Sequence, residues 1–395
     1  MRYNSPMRYV FVDDSAVAYD GYTPMRRPLG GAEKAVAGLA AALQQRGHDV
    51  KVINRTAYSH MADGAYWTPF GDSMAPKAAD VLIAMRKPLL LGTLRAATHR
   101  LLWVVGAPEY LMAPANEPLW DSFAASLLFL GPAQARAYKG KVRNSVIVPG
   151  VRSTFFEKPA PEPVYNVPSI GDYSTPGGDP VQAQLDYGYA APVAEDATEL
   201  PPFIPPPHAV VTTHPAQGLA WLVDLWCTKI HPQMPEARLA VYSAVLTKGL
   251  KGDEIPATIM PILQQVQAAA SANVVVVEPR SDDGMAEVYR ASRVHLYPGD
   301  AQDYACWTLG ESQATGLPAV GRNLGGVSER IDNGQTGYVV PDADAFANVT
   351  LEILRNDAVY QSLGTAAGEA TRRRPWASAA EELDAFVATL PAPQV

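Results

Sequence analysis

The chain has 395 residues, with 32 Lys and Arg against 40 Asp and Glu for a formal net charge of −8 and a pI near 5.4. That balance excludes a polyphosphate partner gripped by a broad basic surface, nucleic acid included. Two cysteines, Cys227 and Cys306, stand without CxxC or metal-ligand spacing, and Met1 to Met7 lacks an apolar leader core. No structural zinc is therefore expected, no apolar run approaches the length of a membrane span, and a cytoplasmic protein is expected, with a peripheral contact at the inner face of the membrane left open.

The length is too great for one typical core and predicts two domains. Short β-branched or aromatic runs alternate with amphipathic helical ones from the start: Tyr9 to Asp13, a helix from Gly31 to Arg46, Asp49 to Ile53, Asp80 to Ile83, Leu101 to Val105, Leu127 to Leu130 and Val146 to Val148. Strands alternating with helices predict a parallel sheet wound by helices. In the first helix Val36, Leu39, Ala40 and Leu43 fall on one face, and Gly47 stands where a helix-terminating glycine belongs. Aromatics between Asp63 and Met74, namely Tyr66, Trp67 and Phe70, suit either an acceptor platform or ordinary loop packing.

The segment from Pro159 to Pro207 holds twelve of the chain's 35 prolines and seven acidic residues without one Lys or Arg. It buries too little apolar surface for a core of its own and is expected to be an extended linker, although Tyr165, Tyr173, Tyr187 and Tyr189 would suit a docking arm. The alternation then restarts with Ala209 to Thr212, a helix from Leu219 to about Ile230, Arg238 to Tyr242, a helix near Met260 to Ala270, Asn273 to Val277, a helix from Gly284 to Ala291, Val294 to Tyr297, a helix after Cys306, Pro318 to Val320 and Gly337 to Val340. The expected fold class is α/β, two doubly wound units facing across a cleft. Ligands of such sheets bind beyond the carboxyl ends of the strands.

Asp303 and Glu311 frame the richest stretch, Asp303-Tyr-Ala-Cys-Trp-Thr-Leu-Gly-Glu311 followed by Ser-Gln-Ala-Thr-Gly-Leu-Pro318. A loop entering a helix near Cys306 leaves backbone N–H groups unpaired, and with the helix dipole these attract an anion such as a diphosphate. The carboxylates repel phosphate but accept hydrogen bonds from sugar and ribose hydroxyls. An N-terminal cap and an exposed helix glutamate explain the same spacing. Asp282 and Asp283, just before Gly284, are expected to cap the helix that follows.

Five segments in order resemble the retaining two-Rossmann-domain (GT-B) glycosyltransferases, close to the group 1, family 4-like enzymes that transfer hexoses from nucleoside-diphosphate sugars. They are Gly30-Gly-Ala-Glu33, Gln45-Arg-Gly-His48 with its strand, Val146-Ile-Val-Pro-Gly150-Val, Asp303 to Pro318, and Leu324-Gly-Gly-Val-Ser-Glu329 through Gly337-Tyr-Val-Val. The resemblance implies an acceptor-side domain over 1–155 completed by a helix in 375–395, a linker over 156–207, and a nucleotide-sugar domain over 208–374. It implies that Asp303 lies near the sugar hydroxyls, where relatives more often carry Glu, and that Glu311 binds the ribose. Backbone groups of Tyr304, Ala305, Cys306, Trp307 and Thr308, with Gly30 and Gly31 opposite, would face the diphosphate.

Two departures qualify that picture. Relatives carry an Arg and a Lys after the first strand of the second domain; here His214 and Gln217 occupy the stretch, so the phosphate charge falls to His214 or to the candidate cations Lys248, Arg280 and Arg322. Relatives also place a His after the fourth strand of the first domain, where this chain has only Glu109, itself well suited to a surface turn. The expected activity is metal-independent hexosyl transfer, with retention, from a UDP or GDP sugar to a hydroxyl acceptor (saccharide, lipid-linked or peptide) in polysaccharide or glycoconjugate synthesis. It needs no cofactor beyond the donor. A catalytically degenerate sugar-nucleotide-binding or scaffold protein of the same fold is the alternative, and a sugar-nucleotide epimerase a weaker one.

Overall fold

The computed structural model describes residues 5–157, 203–369 and 374–391; the linker tyrosines named above lie outside them. The first half builds an eight-stranded sheet from β1 (Arg8–Val12), β2 (Asp49–Asn54), β3 (His60–Ala62), β4 (Ala65–Pro69), β5 (Ala78–Met85), β6 (Ala96–Trp103), β7 (Ser126–Phe129) and β8 (Asn144–Val146) in the order β3-β4-β2-β1-β5-β6-β7-β8. All pairings are parallel except β3 with β4. Helices α1 (Thr23–Arg26), α2 (Gly31–Gln45), α3 (Glu117–Phe123) and α4 (Pro132–Ala137) complete this half. The segment with the aromatics is thus largely an edge hairpin rather than a loop: Trp67 is fully buried and Phe70 exposed.

The second half builds a six-stranded, wholly parallel sheet from β9 (His208–Val211), β10 (Arg238–Tyr242), β11 (Val274–Val277), β12 (Val294–Tyr297), β13 (Ala319–Arg322) and β14 (Gly337–Val340), in the order β11-β10-β9-β12-β13-β14. This is the doubly wound dinucleotide-binding order, with its reversal between β9 and β12. Its helices are α5 (Leu219–Leu225), prolonged by a π turn over Trp226–Ile230, then α6 (Ala244–Leu250), α7 (Met260–Ala268), α8 (Asp282–Arg290), α9 (Trp307–Ala314), α10 (Ala343–Arg355) and α11 (Asp357–Ala367). β-Branched, nearly continuous apolar runs such as Val274-Val-Val-Val277 suit strands covered on both faces.

Both halves of the described chain belong to one unit. The last helix, α12 (Trp376–Val387), returns to the first half and packs Ala379, Ala380 and Leu383 into the core formed by Tyr9, Leu39 and Trp103. Gly38 of α2 leaves room for the Trp376 indole, which a methyl group there would strike. Beneath it, buried Asp384 accepts from the Tyr9 hydroxyl at 2.7 Å and from Arg46 Nε at 2.7 Å, and lies 3.1 Å from His48 Nε2. Arg46 and His48 of the Gln45-Arg-Gly-His48 segment therefore serve to fasten this helix.

Candidate functional site

After β12 the chain runs through a loop exposed only at Ala301 and Gln302 and enters α9 at Cys306, whose φ of 45° lies in the left-handed region. Asp303 secures this turn. Its Oδ1 accepts from the Cys306 N–H at 3.0 Å and its Oδ2 from the Tyr297 hydroxyl at 2.5 Å. The acid thus anchors the turn ahead of α9 rather than capping the helix, whose N-cap is Cys306, and two of its four lone-pair sites remain for a ligand hydroxyl. The Gly325-Gly326 pair lies flat on this loop: the Gly326 N–H donates to Asp303 O at 2.9 Å, and a Cβ at either glycine would overlap carbonyls of Asp303 or Tyr304. Of the amides named for the diphosphate, that of Cys306 is spent on Asp303. Those of Tyr304, Ala305, Trp307 and Thr308 make no hydrogen bond among the described residues.

The start of α2 stands opposite. Gly31 touches the face of the Trp307 indole so closely that a Cβ would overlap the ring. One turn on, Lys34 reaches across from α2 and meets two carboxylates of the second half, Asp282 Oδ1 at 2.5 Å and Glu311 Oε1 at 2.8 Å. Its ammonium also lies 5.8 Å from the centre of the Phe155 ring, and Arg152 Nε stands 3.6 Å from Asp282 Oδ2. Side-chain exposures of 14% for Lys34, 1% for Asp282 and 10% for Glu311 make this a nearly dry cluster. Burial opposes charge on Lys34, yet Glu311 and Asp282 outweigh it and raise its pKa. Glu311 is raised from its ordinary value by burial and by Asp282, with Lys34 pulling the other way. Glu311 Oε2 makes no hydrogen bond among the described residues, so that oxygen can take a ligand hydroxyl while Oε1 keeps Lys34.

Asp282 is accordingly no surface cap: Ser281 caps α8, and Asp282 in the first turn is buried against Lys34. Glu33, next to Lys34, turns the other way. It accepts from Ser15 Oγ and Arg86, both at 2.7 Å, while Arg86 also donates to Asp13 at 3.0 Å and the Tyr19 hydroxyl to Asp13 at 2.6 Å. Burial raises the Asp13 carboxyl despite Tyr19 and Arg86; at Glu33 burial loses to Arg86 and Ser15, and its pKa falls. Arg86, at φ 65° beyond the end of β5, marks the first sheet's own reversal point between β1 and β5.

The remaining candidates are more scattered. His214 is exposed, its Nδ1 accepting from the Ala216 N–H at 3.3 Å, and Gln217 is half-buried beside it. Arg322 closes on the same loop: it lies against Gly218, donates to Pro298 O and to Gly299 O, and stacks 4.3 Å from the Trp221 ring centre. Lys248 on α6 and Arg280 before α8 are both exposed, and neither joins the ion-pair cluster. Glu109 is exposed in a 3-10 turn over Pro108–Met112, close enough to Tyr304 to help burial raise the tyrosine's pKa. Behind α9, buried His295 sets Nδ1 2.7 Å from Ser312 Oγ and Nε2 3.0 Å from Thr212 Oγ1, and burial lowers its pKa to about 3.

Lys34 escaped the reading of the sequence, in which Asp282 figures only as a helix cap. One signal was present: a lysine in the first turn of a helix opposes the helix dipole, and such a placement calls for a partner outside the helix.

Two largely parallel sheets, each reversing its strand order, with the start of α2 against the start of α9, make this a GT-B fold. Residues 209–356 match the family of glycosyl transferases group 1, and the second half is a domain of that family. The D-inositol 3-phosphate glycosyltransferase of Corynebacterium diphtheriae is 31% identical over 110 residues, 27% of this chain and 26% of that protein. The phosphatidyl-myo-inositol mannosyltransferase of Mycobacterium leprae is 30% identical over 104 residues, 26% and 28% of the two chains. The matched stretch thus spans about a quarter of these curated relatives. Among solved structures, sucrose-phosphate synthase from Thermosynechococcus elongatus superposes with a TM-score of 0.65 at 16% identity, over 96% of this chain and 98% of the other. Anabaena HepE in complex with UDP-glucose gives 0.65 at 14%, over 97% and 100%. At such identities the likeness concerns the fold.

Proposed function

We propose that the chain is a hexosyltransferase that moves a sugar from a UDP- or GDP-linked donor to a hydroxyl acceptor with retention, in the synthesis of a polysaccharide or glycoconjugate. The observation that carries this reading is the start of α9: four unbonded amides between a fixed Asp303 and a Glu311 with one free oxygen, directly opposite Gly31. A diphosphate suits the amides, a sugar hydroxyl the spare lone pairs of Asp303, and the ribose Glu311 Oε2. The anomeric C–O bond to the diphosphate breaks, the acceptor oxygen bonds to the same carbon on the same face, and the acceptor proton passes to the departing phosphate oxygen. No protein nucleophile takes part, and the chain's work is to orient the acceptor and stabilise charge on the leaving group. That charge falls to the α9 amides and nearby cations rather than to a metal ion. The donor site belongs to 208–374 and the acceptor side to 1–155 with α12.

The alternative of a catalytically silent binding protein draws on the neutral Gln217 and on the Trp307 ring pressed to Gly31. One experiment separates the two. Wild type is tested by thermal shift and by product analysis with UDP-, GDP-, ADP- and TDP-sugars in the presence of EDTA. A ligand at a hundred times its Kd stabilises by about 2.7 kcal/mol. A shift with a new α-glycoside from an α-linked donor bears the proposal out; a shift without turnover favours the binding protein. No shift with any donor refutes both, and activity restored only by manganese refutes the metal-independent part.

A further inference from the structure

Resting on the donor reading above, we infer that Lys34 is a positioning residue for donor binding: it keeps Glu311 ionised and aimed, by bridging it to Asp282 across the cleft. Lys34 occupies only Oε1 of Glu311 and leaves Oε2 for the ribose. A hydroxyl is held well by a charged acceptor and poorly by a protonated one, whose O–H must itself be satisfied.

The geometry explains why a third group is needed. Glu311 and Asp282 come from neighbouring helices of one half and both approach the same ammonium. Tyr289 of α8 also faces Glu311 but is uncharged, its hydroxyl pKa raised by burial and by Glu311 itself. Arg152 stands by the far oxygen of Asp282 and makes no ion pair with Glu311. Without Lys34, two nearly dry carboxylates face each other with one remaining cation, Arg152, which pairs with Asp282 only, a situation in which Glu311 takes up a proton. The cluster as found is balanced: two cations, two anions. Because Lys34 belongs to α2 and both its partners to the second half, the residue that tunes the donor carboxylate is delivered by the opposing half and acts only when the two meet.

The test uses the full chain and whichever of UDP-glucose and GDP-mannose shifts the wild type. These diphosphate diesters have no ionisation of their own between pH 5.5 and 8.5, so any pH dependence belongs to the protein. Affinity is measured by calorimetric titration across that range for wild type, Lys34→Met, Lys34→Arg and the double variant Lys34→Met/Glu311→Gln. Wild-type affinity is expected to be nearly flat. Lys34→Met should lose about tenfold or more at pH 6 and regain part of it by pH 8.5, as Glu311 gives up its proton. Lys34→Arg should restore the flat profile, and the double variant should be weak at every pH. Undiminished affinity in Lys34→Met overturns the inference, as does a loss equal at all pH values, which a merely structural role would give. If Lys34→Met does not fold, Lys34→Met/Asp282→Asn, which removes the second buried carboxylate, is compared with Asp282→Asn alone: a weaker, pH-dependent affinity supports the inference, and equal affinity overturns it. A wild type that binds neither donor refutes the donor reading, and the inference with it.

Discussion

Lowering the pH tests the packing behind α9 through His295. Its two ring nitrogens are both engaged. Ser312 Oγ donates to Leu309 O at 3.3 Å and so accepts from Nδ1–H, while Nε2 accepts from the Thr212 hydroxyl at 3.0 Å. A second proton has no acceptor there, and burial holds the folded pKa at about 3 against about 6.5 in the unfolded chain. The folded pKa is the lower one, so the unfolded state binds the extra proton first. Stability from this residue is whole above pH 6.5 and is lost as the pH falls toward 3. At 1.36 kcal/mol per unit, the loss relative to neutral pH is about 2 kcal/mol at pH 5 and about 3 kcal/mol at pH 4. Urea unfolding followed by tryptophan fluorescence from pH 8 to 4 measures it. His295→Gln is less stable at pH 8 but should decline less steeply, the two curves converging by roughly those amounts. Parallel curves would refute the assignment of a neutral, doubly bonded imidazole.

Two further substitutions probe contacts between helices. Gly31→Ala drives a methyl group into the Trp307 ring, an overlap that costs about 1–3 kcal/mol in packed settings; in a Trp307→Ala background, where the ring is gone, the same substitution should cost little, and urea midpoints of wild type, both single variants and the double variant check it. Asp384→Ala removes the buried acceptor shared by Tyr9, Arg46 and His48 and should cost about 3–5 kcal/mol, with faster proteolysis in α12 as the independent sign. Unchanged proteolysis would mean that the apolar face of α12 suffices to hold it.

Much of the fold was legible because strand runs such as Val274-Val-Val-Val277 and the face Val36, Leu39, Ala40 and Leu43 carry their periodicity in the open. The hairpin β3–β4 was not, since three residues of β3 show no alternation and Trp67 looks no different in a strand than in a loop. At the site, the spacing of Asp303 and Glu311 revealed the start of α9 but not the use of each acid. That Asp303 anchors the turn before α9 instead of capping the helix follows from the left-handed turn at Cys306, and whether Glu311 is free depends on Lys34, 277 residues away in the chain. Arg322, named only as one of several cations, meets the loop after β9 at Gly218 and the loop after β12 at Gly299 through the β9–β12–β13 order of the sheet. Pairings of this kind are set by tertiary structure and leave no local trace.

The return of α12 bears on how the chain is made. Arg46 and Asp384 are 338 residues apart, so on the ribosome the first sheet waits for the whole second half before the groove along α2 is filled. At about 5–20 residues per second, that wait lasts roughly 20–70 seconds. Throughout it, the small-residue face of α2 around Gly38 stays open to water and to whatever chaperone or neighbouring nascent chain reaches it first. The half made earlier is therefore finished after the half made later, and the hazard of misassembly falls on the first sheet.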